Sequence, residues 1–367
     1  TTDPGKDITG IQTDSGIISW GNTYNDFGLG VYETTDGGYA VVGSQYSAST
    51  QEDLVLVKFD ESMEPTDQAT YSGSGTDSLY NNNANDIQQT GDGGFITVGN
   101  TFNGTNYDVS IVKFSPLLEF EWQDTISGAY NDFGNSIQQT ADEGYLICGT
   151  KYDGTDEDIM LWKITVTNGT PSYVVLYDPE STANSDNETR EYGNYAEETA
   201  DGGYVLVATV PTGIQVTKLT AAGTASWNTV DTNYPGGEGK MVRQLDDQSY
   251  IVAGYVQGGT GQQSEAYINT FTADGTAGTA VLLGGAYNDK ATSIIETGDG
   301  GFAFTGTRRT DTTNDDIWIV KLKSNLTTDW SVMYGGDYND SGSSIMATDD
   351  NGFVVTGSSY SYGSQSQ

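Results

Sequence analysis

Histidine is absent from this 367-residue chain, cysteine occurs once, and lysine and arginine together number only 14. Without imidazole there is no His-based triad, no His-ligated zinc and no imidazole acid–base chemistry. A single cysteine excludes an intrachain disulfide, and its apolar setting, Tyr145-Leu146-Ile147-Cys148, reads as a buried free thiol. The few bases face 51 acids, a formal charge of −37. Such a surface repels polyanions, so nucleic acid is excluded as a partner and anionic membranes are disfavoured. No stretch approaches the roughly 18 apolar residues of a membrane span, and no membrane insertion is expected. Neither a Gly-rich phosphate loop nor a nucleophile elbow is present.

What the chain does have is glycine, 48 residues, with abundant Tyr, Thr, Asn and Asp and 35% hydrophobic residues. That balance suits many short strands joined by tight turns. One element recurs, Thr-x-Asp-Gly-Gly-aromatic, seen at Thr34–Tyr39, Thr90–Phe95, Thr140–Tyr145, Thr199–Tyr204 and Thr297–Phe302. Weaker copies lie at Leu245–Tyr250, which lacks both glycines, and Thr348–Phe353. The aromatic anchors are 56, 50, 59, 46, 52 and 51 residues apart. Seven copies of a unit near fifty residues predict seven blades of a β-propeller.

The third unit illustrates a blade. Asn135–Thr140 alternates as a strand, Asp142-Glu143-Gly144 supplies a turn, and Gly144–Gly149 returns. Asp158–Ile164 is nearly all apolar, as a strand covered on both faces should be. A fourth strand follows, often with Trp, as at Trp122, Trp227 and Trp330. The last unit stops after two strands, whereas Asp7–Thr13 and Gly16–Trp20 read as a third and a fourth. The expectation is therefore a single domain over 1–367, an all-β seven-bladed propeller of four-stranded antiparallel blades. Its last blade is shared between 1–20 and 341–367, a two-plus-two closure that leaves no open edge.

The pattern Gly-Gly-x-Tyr-Asn-Asp, Ser-Ile, Thr-x-Asp-Gly-Gly-Tyr, Asp-Ile-Trp-Ile-Val-Lys, clearest in Gly284–Leu322 and Gly335–Phe353, resembles a group of secreted bacterial and archaeal surface propellers. The resemblance implies an extracellular or cell-surface location, often within a larger modular protein, and no particular reaction. The fourth and fifth units depart most from it, having lost Tyr-Asn-Asp. Five sequons, at Asn103, Asn168, Asn187, Asn325 and Asn339, fit a secreted glycoprotein.

Several groups could carry chemistry. Tyr24-Asn25-Asp26, Tyr130-Asn131-Asp132, Tyr287-Asn288-Asp289 and Tyr338-Asn339-Asp340 have oxygen donors suited to calcium, yet an Asp recurring once per blade is first of all a turn residue. The denser loop with Asp153, Asp156 and Asp158 is the better candidate for calcium, though no cofactor is required. Lys58, Lys113, Lys163, Lys218 and Lys321 each end a third strand, where Asp36, Asp92, Asp142, Asp201 and Asp299 of the turns are the expected ion-pair partners. The Trp residues, Trp20 included, are expected to pack between blades rather than stack on sugars. The longest interval holds Asp178, Glu180, Asp186, Glu188 and Arg190, and departures from a repeat are where a dedicated binding site is most often found.

The function these features favour is a non-catalytic extracellular propeller, a structural or adhesive module that binds protein or glycan, copies of itself included. The alternative is a carboxylate-dependent glycoside hydrolase or polysaccharide lyase, which would require a deep central pocket with two facing acids.

Overall fold

A computed structural model describes residues 13–14, 17–18, 26–46, 52–72, 82–167, 169–178, 191–258, 263–310, 314–348 and 352–361. All regular structure is antiparallel β. Six four-stranded sheets follow one another, each ordered along the chain. The first blade comprises Asp26–Glu33, Tyr39–Tyr46, Glu52–Phe59 and Pro65–Tyr71, and the second Asn82–Gln89, Phe95–Phe102, Tyr107–Phe114 and Phe120–Ile126. The third comprises Asp132–Gln139, Tyr145–Tyr152, Glu157–Thr167 and Thr170–Tyr177. The fourth runs from Tyr192 to Asp231, the fifth from Glu238 to Leu283 and the sixth from Asp289 to Tyr334. A seventh sheet has two strands, Asp340–Ala347 and Phe353–Ser359. The expected count of seven four-stranded blades is thus corrected to six among the described residues.

Consecutive first strands contact one another around an axis, and the seventh sheet packs against the sixth blade on one side and the first on the other. Across that last junction Glu33 N donates to Met346 Sδ at 2.9 Å. The expected N-terminal strands fall largely outside the described residues; within them, Thr13–Asp14 pairs only with Ile17–Ile18.

Each blade follows from its sequence. The second and third strands are the most buried, Gly213–Leu219 throughout. Together they bring Ile, Val and Trp into interblade clusters such as Ile96, Val98, Ile111, Ile147 and Trp162. First strands carry a bulge after Gly or Ala, as between Gly134 and Ser136. At the matching point of the second strand the backbones approach so closely that a Cβ on Gly149 would lie 2.0 Å from Phe133 O. Only glycine fits there.

The Thr-x-Asp-Gly-Gly turn places its first glycine in the left-handed region, φ +81° at Gly93. Glu143 and Gln248 occupy that position in the third and fifth blades and still adopt φ 64° and 69°. In the fifth blade Leu245 N reaches Ser249 O at 2.8 Å, the bond Thr90 N makes to Gly94 O at 2.9 Å. The turn survives the loss of both glycines because the blade imposes it.

Candidate functional site

The charged groups sort onto two rims. On the rim of the Asp-Gly-Gly turns every expected pair forms: Lys58–Asp36 at 2.7 Å, Lys113–Asp92 at 3.0 Å, Lys163–Asp142 at 2.5 Å, and Lys218–Asp201 and Lys321–Asp299 both at 2.9 Å. The ammonium groups are buried or nearly so, while the carboxylates face solvent. Lys113, Lys218 and Lys321 each donate also to the next backbone carbonyl at 3.0 Å. The Asp carboxyls in turn accept the turn Thr hydroxyl and a glycine N–H, as Asp201 does from Thr199 and Gly203. The hydrogen bonds from Lys58 and Thr34 hold Asp36 down at about 2. For Asp142 and Asp201 partial burial pushes upward, but their Lys and Thr hydrogen bonds prevail, and both also lie at about 2. These lysines are consumed by structure and offer no ring of cations to a ligand.

The opposite rim holds the Tyr-Asn-Asp elements at 130–132, 287–289 and 338–340, and they too are fasteners; Tyr24 and Asn25 lie outside the described residues. Asn131 Oδ1 accepts Tyr107 N of the preceding blade at 3.0 Å, and its carbonyl accepts Tyr152 N of its own blade at 2.9 Å. Asn288 and Asn339 repeat both contacts, to Ser264 and Arg309 and to Asp315 and Tyr360. The turn-forming role weighed for these residues is therefore what the geometry gives Asn131, Asn288 and Asn339. The Trp residues bridge blades as expected: Trp122 meets Tyr145, Trp227 meets Tyr250 and Trp330 meets Phe353, with ring centroids 6.0, 5.6 and 6.0 Å apart. Trp20 lies outside the described residues.

Asp153, Asp156 and Asp158 do converge, with one carboxylate oxygen from each within 4.8 Å of the others. Their loop is tied locally: Asp153 Oδ1 accepts Thr155 N at 2.7 Å, and Asp153 N donates to Asp156 O at 3.2 Å. Of the long insertion, Asp178 closes the third blade's fourth strand, while Glu180, Asp186, Glu188 and Arg190 lie outside the described residues, as do Asn168 and Asn187. Asn325 and Asn339 are exposed. Asn103 is exposed as well, but its amide donates to Asn106 at 2.8 Å and Asp108 at 2.7 Å.

Sequence reasoning missed the lining of the axis. Arg243 of the fifth blade pairs with Glu197 of the fourth at 3.0 Å and stacks over Tyr195 at 5.1 Å. Asp86 of the second blade stands within its electrostatic reach. Burial pushes the Asp86 carboxyl up to about 6, against hydrogen bonds from Ile137 N at 3.0 Å and Ile87 N at 2.9 Å. Those two N–H bonds make Asp86 a bolt between blades, the role Ser136 plays for Ala196 N and Ser293 for Ile345 N. The available signal was positional: the sites equivalent to Arg243 are Tyr32, Gln88, Gln138, Glu197, Ile295 and Met346, six residue types in seven units.

A shallow cleft of about 210 Å³ opens between the sixth and seventh sheets beside Lys290. Its two acids are both engaged, Asp315 by Arg309 at 2.5 Å and Asp340 by Ser361 Oγ at 2.6 Å and Gly336 N at 3.1 Å.

The outer strand of the third blade is different in kind. In the register of Trp122, which lies opposite Lys113, stands Val174, opposite Lys163. Val174 is 61% exposed, beside Tyr173 at 42% and Val175 at 50%. Thr170–Tyr177 carries no charge, whereas each of the other fourth strands of seven residues includes an acid.

The chain has the fold of a β-propeller. No family model matches it, and no curated protein is similar in sequence. Solved structures are similar in fold. A protein from Lactobacillus plantarum aligns with TM-score 0.54 at 9% identity, covering 89% of this chain and 88% of that one. The WD40 domain of Pan2 from Neurospora crassa gives 0.51 at 11%, covering 92% and 94%, and Sqt1 from Chaetomium thermophilum 0.50 at 13%, covering 89% and 76%. At such identities the likeness concerns architecture alone. Among the described residues no helix is long and apolar enough to cross a membrane.

Proposed function

We propose that this propeller is a non-catalytic extracellular module, structural or adhesive, that binds a protein partner at a cell surface through the outer edge of its third blade. The observation that supports this is the uncharged, exposed Tyr173-Val174-Val175 edge on a chain of net charge −37. An outer strand presents unpaired N–H and C=O groups and accepts a further strand unless charge forbids it. The outer strands of seven residues in the other blades each bear an acid. Here a strand of a partner, or of a second copy, can approach without bringing carboxylates together. Glycans on the sequons would decorate such a surface protein, and the Asp153, Asp156, Asp158 cluster would take calcium as a stabilising ion.

Val174→Asp places a charge on the edge without touching the core. Adhesion to cells or to immobilised surface protein should fall about tenfold or more with an unchanged melting temperature, since an unpaired charge buried in an interface is costly. Adhesion that persists in V174D, or turnover of a polysaccharide abolished by one carboxylate substitution, would sink the reading.

The same proposal includes ring closure, with residues 7–20 supplying the third and fourth strands of the seventh blade. Deleting residues 1–20 should then lower the melting temperature by on the order of 10 °C. A deletion variant that melts like the intact chain would refute closure and leave the edge reading intact.

A further inference from the structure

One register position near the Tyr-Asn-Asp rim is half-buried in every first strand. Phe27, Phe133 and Tyr192 fill it in the first, third and fourth blades, opposite Ser44, Thr150 and Thr209. The sixth blade has Lys290 there, opposite Thr307, and the seventh sheet has Ser341 opposite Ser358. With no ring at Ser341, space opens between the two sheets, and these four residues line the cleft of about 210 Å³. Ser341 Oγ and Ser358 Oγ bond one another at 2.9 Å. Tyr360, 46% exposed, forms a further part of the wall.

Lys290 differs from most of the bases. Of the 14, Lys6 and Arg190 lie outside the described residues; ten of the remaining 12 form ion pairs there, and Lys151 and Lys290 do not. Lys151 stands within electrostatic reach of Asp132. The Lys290 ammonium lies 4.3 Å from the centre of the Tyr255 ring. The acids around it are engaged by other groups: Glu238 by Lys240 at 2.8 Å, Asp315 by Arg309, and Asp340 by Ser361 and Gly336. A chain of net charge −37 repels anions over most of its surface, and a base without a carboxylate beside a cavity is where one can be held.

We propose that this cleft binds a single uronic acid unit, free or at the end of a glycan chain, with its carboxylate on Lys290, its hydroxyls on Thr307, Ser341 and Ser358, and a ring face on Tyr360. One ammonium without an ion pair balances one carboxylate. A doubly charged phosphate would stand too close to the carboxylates of Asp315 and Asp340 for a single base to hold it. Serine and threonine hydroxyls both donate and accept, as the hydroxyls of a sugar require. Beyond the Tyr360 ring the lining offers no apolar wall to a peptide side chain. The site lies between the sixth and seventh sheets, apart from the third-blade edge, and is a second binding function.

The test is calorimetric titration at low ionic strength, with protein expressed without glycans because Asn339 borders the cleft. D-glucuronate should bind with a Kd of ~1 mM, and D-glucose and acetate each about tenfold more weakly. K290Q should weaken glucuronate about tenfold at an unchanged melting temperature, and K290R should restore most of the affinity. Where K290Q does not fold, S341F, which puts back the ring that Phe27 supplies in the first blade, takes its place and should abolish binding. Glucose or acetate binding as tightly as glucuronate, no binding in the parent, or an affinity unchanged in K290Q or S341F overturns the proposal. V174D should bind glucuronate as the parent does, so the cleft and the third-blade edge fail separately.

Discussion

The two rims of the ring use aspartate in opposite ways. On the turn rim, five exposed carboxylates each meet a lysine of the same blade, buried in four cases and half-buried at Lys58, 17 to 22 residues away. On the other rim, Asp132, Asp289 and Asp340 are buried at the start of their sheets, and Asp289 and Asp340 are compensated differently, by Arg308 and Gly285 N and by Ser359, Ser361 and Gly336 N. Repetition within a blade produces uniform solutions, because both partners lie in the copied unit. Seams share backbone fasteners such as Asn131, Asn288 and Asn339, while the charged groups beside them vary.

Removing a seam partner should have the larger effect. Arg243→Ala leaves the buried Glu197 of the neighbouring blade without its cation and removes the stack on Tyr195, so a loss of about 3 kcal/mol is expected in denaturant unfolding. A loss under about 0.5 kcal/mol would erase the distinction between seam pairs and pairs within a blade.

Asp201→Ala strands the buried Lys218 with only the Leu219 carbonyl, at an expected cost of about 2 kcal/mol. Asp92→Ala should cost about half as much, because Glu121 remains 3.1 Å from Lys113. Equal losses in the two variants would show that the second acid contributes nothing.

Acid sharpens the contrast further. Asp36, Asp142 and Asp201 have folded values of about 2 against an ordinary 3.8, so their contribution is complete above pH 4 and disappears as pH falls through 2. Solvent screening of these exposed carboxylates keeps the change small. The melting temperature should nonetheless decline more gently between pH 4 and 2 in D201N than in the parent; parallel declines would remove the turn rim from the acid response. The smallest effect concerns the turns themselves. Gln248→Gly and Glu143→Gly relieve a left-handed backbone and should each add about 0.5–1 kcal/mol, measurable as a shifted denaturation midpoint, whereas a neutral or destabilising result would mean those side chains hold contacts that offset the strain.

Much of the fold was legible because its signals are local. The Thr-x-Asp-Gly-Gly turn, the apolar third strand and the lysine at its end all lie within one hairpin-connected unit, where strand register alone brings Lys163 to Asp142. The Asp153, Asp156, Asp158 convergence was legible for the same reason, since one short loop contains it. Less accessible was Arg243 with Glu197, 46 residues apart across a seam. Six complete blades are described rather than seven because the seventh was expected to take its third and fourth strands from residues 7–20, most of which lie outside the described residues.

The sequence by itself determined the strand-turn period, the all-β class, the Lys–Asp rim and the exclusion of imidazole chemistry, each a matter of composition or of register inside one unit. Only the tertiary structure decided which carboxylates are buried, that Arg243 reaches Glu197 across a seam, and that Val174 stands exposed where Trp122 is packed. Those outcomes depend on how one blade lies against the next, and no spacing along the chain encodes the distance across a seam.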